Sequence, residues 1–278
     1  MNAARKHEEK SAVELAEEAF YLLRTAPTGA IACYASGTLP FILACLYYTT
    51  DMSRNAFASE RLLTGSLGLA VLFIVMKCGQ TMFATGLLAH LAGENPPRWS
   101  LPGLIQLASL QAFIQPLGLI LLPIAFLLLL PFAWAYAFFS NATVLGGEQY
   151  LTLRSLCGRS WNQSFLWPLQ NHYALMMYQL LYGFVLLNLG ILIALLPVLY
   201  KMILGVETVF TSSPMSMVNT TFFAGCVGLG YLCVDPLVKT TYVLRCFYGE
   251  SLRTGRDLRA DLMRLRADET SGSPEILP

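Results

Sequence analysis

The chain has 278 residues, of which 55% are hydrophobic and 13% are charged. Soluble domains usually carry about 45–50% apolar and about 25% charged residues, and the mean hydropathy of +0.55 points the same way. This composition excludes a disordered chain, a nucleic-acid-binding protein and an ordinary cytosolic enzyme. Since the apolar residues lie in long runs without the alternation typical of barrel strands, we predict an all-α integral membrane protein.

The chain begins with a polar stretch of mixed charge, unlike the basic start and short apolar core of a signal peptide. Residues 11–24 then predict an amphipathic helix lying along the membrane, because Ser11 and Glu14 have the spacing of a capping box. Such a helix either contacts lipid headgroups or packs on the bundle. We assign residues 1–28 to a cytoplasmic N-terminal segment.

Six apolar segments are candidate membrane spans, since about 20 residues are needed to cross the hydrocarbon core. The central segment, residues 102–146, contains no charged residue and is too long for one helix across the membrane. Because proline removes a backbone donor and breaks helices, we predict a hairpin that turns near Pro123. Residues 170–203 are long for one span, and form either one tilted span or a span with a re-entrant segment. The predicted spans are 29–50, 62–92, 103–122, 125–146, 170–203 and 216–236.

The basic residues are distributed unequally between the two predicted sides of the membrane. With six spans, both termini lie on one side, which holds thirteen of the 18 basic residues, while the opposite side holds Arg54, Arg61 and Lys201. Loops rich in Lys and Arg stay in the cytoplasm. We therefore predict six transmembrane helices in three hairpins, flanked by amphipathic interfacial helices, with both termini cytoplasmic. The bundle would occupy residues 29–248, and residues 249–278 would form an Arg-rich cytoplasmic tail.

The order of these segments resembles a known bacterial arrangement. An amphipathic helix, three pairs of spans, Pro131 followed by Phe132, and the polar stretch from Arg154 to Trp161 are similar to the membrane domain of bacterial glycerophosphoryl diester phosphodiesterases and their six-helix relatives. The resemblance covers residues 11–248 and implies the six-helix fold and a location in a bacterial inner membrane. This sequence contains no soluble phosphodiesterase domain, so the resemblance does not imply that activity.

Two charged residues near the end of the last span are candidates for a functional site. Asp235 and Lys239 are four positions apart, so they share one helix face and can form an ion pair. Arg245 follows on the same predicted helix. Charged groups within a membrane are costly and by default indicate function. The alternative is a position at the cytoplasmic interface, where Lys239 would extend to water and Asp235 would cap a helix.

Lys77 and Gln80 complete the candidate site, because they lie on one face deep within the second predicted span. Lys77 would pair with Asp235 or bind an anionic headgroup in a pocket between helices. Since the second span is longer than a crossing requires, a shift in its depth would instead bring Lys77 closer to the interface.

No pattern in the sequence predicts catalysis, since there is no HExxH, GxSxG or Walker sequence and no pair of carboxylates within a span. We predict no enzyme activity, no cofactor, no metal and no nucleic-acid partner. The function that we favour here is a non-catalytic inner-membrane subunit or scaffold that packs with membrane lipids and other membrane proteins. The alternative is a small secondary transporter that uses Lys77, Asp235 and Lys239.

Overall fold

The structure, a computed structural model, describes residues 10–128, 132–148, 151–207, 211, 219–255, 257–260 and 262. Most of these residues are helical, and no strand occurs among them. The helices are α1 (Ala12–Arg24), α2 (Thr28–Arg54), α3 (Ala58–Ala92), α4 (Leu101–Leu127), α5 (Phe132–Leu145), α6 (Leu153–Ser164), α7 (Pro168–Leu204) and α8 (Thr220–Thr254).

Five of these helices, α2, α3, α4, α7 and α8, are long and apolar enough to cross a membrane. The predicted all-α membrane class is therefore confirmed, and the chain is a multi-pass membrane protein. The other three helices are shorter: α1 has 13 residues, α5 has 14 and α6 has 12. A helix of 14 residues rises about 21 Å, which is less than the ~30 Å hydrocarbon core.

The predicted turn near Pro123 is wrong. Helix α4 continues through Pro116 and Pro123 and ends at Leu127. A proline within an apolar helix removes one backbone hydrogen bond, and neighbouring helices commonly compensate for that loss in membrane proteins. Helix α5 begins at Phe132, and residues 129–131 of the fourth predicted span lie outside the described residues.

The last two apolar segments also form longer helices than their predicted spans. Helix α7 is one continuous helix of 37 residues, so residues 170–203 lie in a single helix rather than in a helix and a separate re-entrant segment. Helix α8 has 35 residues and passes through Pro236. The side chain of Asn219 caps its first turn, and Gly255 ends it in the left-handed conformation, with φ 62°. Residues 216–218 of the sixth predicted span lie outside the described residues.

Helices α2 and α3 pack against each other, and glycines bring their backbones close together. A Cβ atom added to Gly79 would lie 2.6 Å from the carbonyl oxygen of Cys33, and one added to Gly37 would lie 2.9 Å from the carbonyl oxygen of Val75. Small residues at such contacts let helix backbones approach closely in a membrane. Further along the same pair, Tyr48 packs against Gly65.

Helix α5 lies at the centre of the bundle, in contact with α3, α4, α6, α7 and α8. Two buried glutamines of α4 fix its position. The side-chain amide of Gln111 donates to the carbonyl oxygen of Ala142 at 3.4 Å, and that of Gln115 donates to Thr143 Oγ1 at 3.0 Å. Such interhelical hydrogen bonds stabilise helix pairs in membranes, where the alternative is an unsatisfied polar group.

The helix ends near α1 are joined by polar contacts. The predicted capping box of α1 is confirmed, since Ser11 and Glu14 exchange both hydrogen bonds. Helix α1 packs on α7 and α8, and the ammonium group of Lys10 lies 2.7 Å from both the Glu18 carboxylate and the Tyr248 hydroxyl. We call this side of the bundle the α1 end, and the side at Arg54 and Thr220 the far end.

At the α1 end of the bundle, Arg159 of α6 joins α8 to the segment that follows α5. Its guanidinium group forms ion pairs with Glu148 and with Glu250, the latter at 2.8 Å. The hydrogen bonds that it donates to Glu148, together with those to Glu250, raise the pKa of Arg159 above its ordinary value. The short amphipathic helix α6, which packs on α5, is thus fixed to α8 by an ion pair.

Candidate functional site

Side chains from three helices form a group of polar and charged residues inside the bundle, which we call the charged cluster. Its members are Tyr34 from α2, Lys77 and Gln80 from α3, and Tyr231, Asp235 and Lys239 from α8. The three α8 residues are spaced four apart and so lie on one face of the helix. Lys77 and Gln80 are three apart and share a face of α3 for the same reason.

Asp235 is the centre of the charged cluster. Its carboxylate accepts a hydrogen bond from the Tyr34 hydroxyl at 2.8 Å and one from the Gln80 amide at 3.0 Å. The ammonium nitrogen of Lys239 lies 3.9 Å from the other carboxylate oxygen. The side chains of Lys239 and Asp235 are 5% and 6% exposed, so this ion pair is enclosed by protein. A paired, hydrogen-bonded carboxylate is the form in which a charge can be buried at tolerable cost.

The neutral amide of Gln80 links Lys77 to the ion pair of Asp235 and Lys239. The side chain is fully buried, and its nitrogen donates to the Tyr231 hydroxyl at 2.9 Å as well as to Asp235. Its oxygen accepts a hydrogen bond from the Lys77 ammonium group at 3.4 Å. Lys77 is therefore linked to Asp235 through one side chain, without forming an ion pair with it.

The charged cluster lies near the middle of the two helices that supply its charges. Lys77 is well inside the 35 residues of α3, and Asp235 and Lys239 are well inside the 35 residues of α8. Polar and ionisable residues at such positions are expensive and are retained for function more often than for stability. The interfacial alternative requires Asp235 and Lys239 to be open to water, and their burial does not support it.

Two cavities adjoin the charged cluster from different sides. The larger, which we call the cleft, has a volume of about 930 Å³ and lies between α2, α3, α4 and α8, with Lys77 and Tyr231 in its wall. The smaller, which we call the crevice, has a volume of about 160 Å³ and lies between α5, α7 and α8, with Asp235 and Tyr136 in its wall. Tyr231 borders both cavities. The charged cluster is thus the partition between them.

Arg245 is the one predicted site residue that the structure places apart from the charged cluster. Ten residues separate it from Asp235, which is about 15 Å along the helix axis. Its guanidinium group donates to the carbonyl oxygen of Leu166 at 2.8 Å and to the side chain of Gln170. These contacts hold the corner between α6 and α7, where Trp167 has a left-handed backbone with φ 49°. Arg245 is buried and stabilises this corner.

Sequence analysis missed the two tyrosines of the charged cluster. Tyr231 could have been found, because it lies four residues before Asp235 and therefore on the same helix face. Tyr34 gave no such signal, since it is 201 residues away from its partner in sequence. Tyrosines at the ends of apolar segments are common at membrane interfaces, so the type of residue alone does not indicate a buried contact.

The chemistry that this arrangement offers is binding of charge. It presents two ammonium groups, one carboxylate, one amide and two phenolic hydroxyls. Among the described residues no group of three or more His, Cys, Asp or Glu side chains could hold a metal ion. Comparison with protein-family models, curated proteins and solved structures finds no match for this chain. The resemblance to the phosphodiesterase membrane domain therefore stays a prediction.

Proposed function

We propose that this protein is a small secondary transporter in which the charged cluster is the site that binds the transported solute. The observation that carries the proposal is the position of the charged cluster, which is buried in the bundle with the cleft on one side and the crevice on the other. Transporter sites typically lie near the middle of the membrane, where helices from different parts of the chain meet. Lys77, Asp235 and Lys239 supply the charges of this site.

A transporter must expose its site to the two sides of the membrane in turn, and Tyr231 allows this to be tested because it borders both cavities. We expect a Tyr231→Cys variant in proteoliposomes to react with a membrane-impermeant thiosulfonate applied from either side, as measured by site-resolved mass spectrometry. Ala84→Cys on α3 is the control, since Ala84 is fully buried and should react from neither side. Reaction of residue 231 from one side alone, or from neither, would refute transport.

The crossing of the membrane by all three helix pairs is a second part of the proposal. The contacts of α2 with α3, α4 with α5 and α7 with α8 support six crossings in three hairpins, although α5 is short for a crossing. The excess of basic residues at the α1 end supports a cytoplasmic location of both termini, in a bacterial inner membrane. A reporter inserted after Leu128 should then read as periplasmic, and a cytoplasmic signal would contradict the six-crossing arrangement.

A second candidate function, a non-catalytic subunit or scaffold, is favoured by the surface of α7. The most apolar part of this helix is not buried against other helices of the chain, and large side chains such as Leu187, Ile191 and Leu195 are exposed. A surface of this kind packs with lipid or with another membrane protein. Co-purification of a stoichiometric membrane partner that is lost in a Leu187→Ser/Ile191→Ser variant would support a scaffold, and retention of that partner would count against it.

A further inference from the structure

The cleft is apolar along most of its length and charged at one end. Its far end is bordered by Thr49, Ser66 and Phe223, and Lys77 and Tyr231 border the end nearest the middle of the bundle. Ser66 and Lys77 are eleven residues apart on α3, which corresponds to about 16 Å along the helix axis. Between them the walls carry side chains such as those of Phe41 and Ile74.

The charge at the inner end of the cleft is not balanced by the described residues around it. The charged cluster contains two ammonium groups and one carboxylate, and the ion pair within it joins Asp235 to Lys239. Lys77 instead donates to the neutral amide of Gln80 and lies 5.4 Å from the centre of the Phe73 ring. In the part of the chain that the structure describes, no carboxylate is within ion-pair distance of Lys77. An isolated charge in an apolar environment needs a counter-ion.

We propose that the cleft binds a single-chain amphipathic anion, whose negatively charged group pairs with Lys77 and whose apolar chain lies along the cleft toward the far end. This inference rests on the proposed function, because it names the class of solute that the transporter would carry. Charge complementarity with Lys77 selects the anionic group, and the apolar walls select the chain.

The depth of Lys77 favours such a solute over a bilayer phospholipid. Lys77 is about 28 Å from the far end of α3 and about 22 Å from its other end. A bilayer phospholipid keeps its headgroup at the membrane surface, about 15 Å from the middle of the hydrocarbon core. A headgroup paired with Lys77 would have to leave that surface. A solute with one charged group and one chain can enter the cleft whole.

Two features of the proposed complex have predictable effects on affinity. A hydrogen bond to a charged group contributes enough that its removal weakens binding about tenfold to hundredfold. Each methylene group transferred from water into the cleft strengthens binding about fourfold. Affinity should therefore depend on Lys77 and, until the cleft is filled, on the length of the chain.

The test is titration of the full-length protein in phosphatidylcholine nanodiscs with decanesulfonate, by calorimetry against empty nanodiscs. We expect saturable binding to the wild type and binding about tenfold to hundredfold weaker to Lys77→Met. Lys77→Arg keeps the charge and should bind within a few fold of the wild type. Lys201→Met is the matched control, because Lys201 is an exposed lysine at the end of α7, paired with Glu207, and it should bind as the wild type does.

A third variant keeps the proposal falsifiable if Lys77→Met does not fold. Ala112 of α4 lines the cleft, so Ala112→Phe would fill part of it without changing any charge. This variant should also weaken binding of decanesulfonate. Octanesulfonate, which is two methylene groups shorter, should bind the wild type about fifteenfold more weakly than decanesulfonate does. Unchanged binding by Ala112→Phe would overturn the proposed position of the chain.

Other outcomes would overturn the proposed class of ligand. One is binding of decyltrimethylammonium as tight as that of decanesulfonate, and another is equal affinity of Lys77→Met and Lys201→Met for decanesulfonate. A third is loss of decanesulfonate binding when the nanodiscs contain phosphatidylglycerol, which would assign the cleft to a bilayer lipid. The two proposals fail separately. If the wild type binds decanesulfonate but Tyr231→Cys does not react, the protein has a binding site and does not transport. If Tyr231→Cys reacts from both sides but the wild type does not bind decanesulfonate, only the proposed ligand class is refuted.

Discussion

Replacement of Asp235 by Asn is the most direct test of the energetic role of the charged cluster. The change keeps the size of the side chain and removes its charge, so the ammonium group of Lys239 loses its ion-pair partner. Removal of one partner from a buried ion pair typically costs about 3–5 kcal/mol, because the remaining charge is uncompensated. The side chain of Asp235 is 6% exposed, so we expect the free energy of unfolding to fall by about this amount. It can be measured by titration of the folded protein with sodium dodecyl sulfate.

A second ion pair in the same chain provides the matched control. The guanidinium group of Arg61 lies 3.9 Å from the Asp51 carboxylate, the same distance as between Lys239 and Asp235, but the Arg61 side chain is 62% exposed. Asp51→Asn should therefore cost about 0–1 kcal/mol, as exposed pairs do. Equal losses in the two variants would refute the reasoning. The double variant Asp235→Asn/Lys239→Met should recover part of the loss, because it removes one of the uncompensated charges.

Two further predictions concern the packing of the helices. Gly79→Ala should lower the free energy of unfolding by about 1–3 kcal/mol, because the new methyl group would meet the backbone of Cys33. Gly68→Ala on the same helix is the control, since a methyl group there has open space and should stabilise the protein by about 0.5–1 kcal/mol. A similar result for both variants in sodium dodecyl sulfate titration would contradict the close contact. Arg159→Met should lower the free energy of unfolding by about 1 kcal/mol at low salt and by less at high salt, since the ion pairs of Arg159 are partly exposed. Arg154→Met is the control, because Arg154 is exposed on the same helix. A loss that does not depend on salt would show that packing alone is responsible.

The helices could be predicted from sequence where their signals are local. The capping box of Ser11 and Glu14, the long apolar runs and the four-residue spacing of Asp235 and Lys239 all act within one helix, so their effect can be worked out from neighbours in sequence. The continuation of α4 through Pro123 could not be predicted in this way. Whether a proline ends a helix depends on the neighbours that replace its lost hydrogen bond, and those neighbours belong to the folded bundle.

The charged cluster shows the same division. Sequence spacing indicated that Asp235 and Lys239 pair and that Lys77 and Gln80 share a face. It did not indicate that Gln80 donates to Asp235, since these residues are 155 positions apart. Nor did it separate Arg245 from the other candidates, because residues on different turns of one helix can contact different neighbouring segments.

The contact between α2 and α3 links the packing of the bundle to its candidate site. Gly79 precedes Gln80 on α3, and Gly37 lies three residues after Tyr34 on α2, so the closest approach of these helices is immediately beside two donors of the charged cluster. Tyr34 and Gln80 both donate to the same oxygen of Asp235. Two side chains on different helices can share one acceptor atom only if their backbones are held close together. The glycines therefore set the geometry around Asp235 as well as the stability of the helix pair, and we expect a larger residue at either position to move the two donors apart.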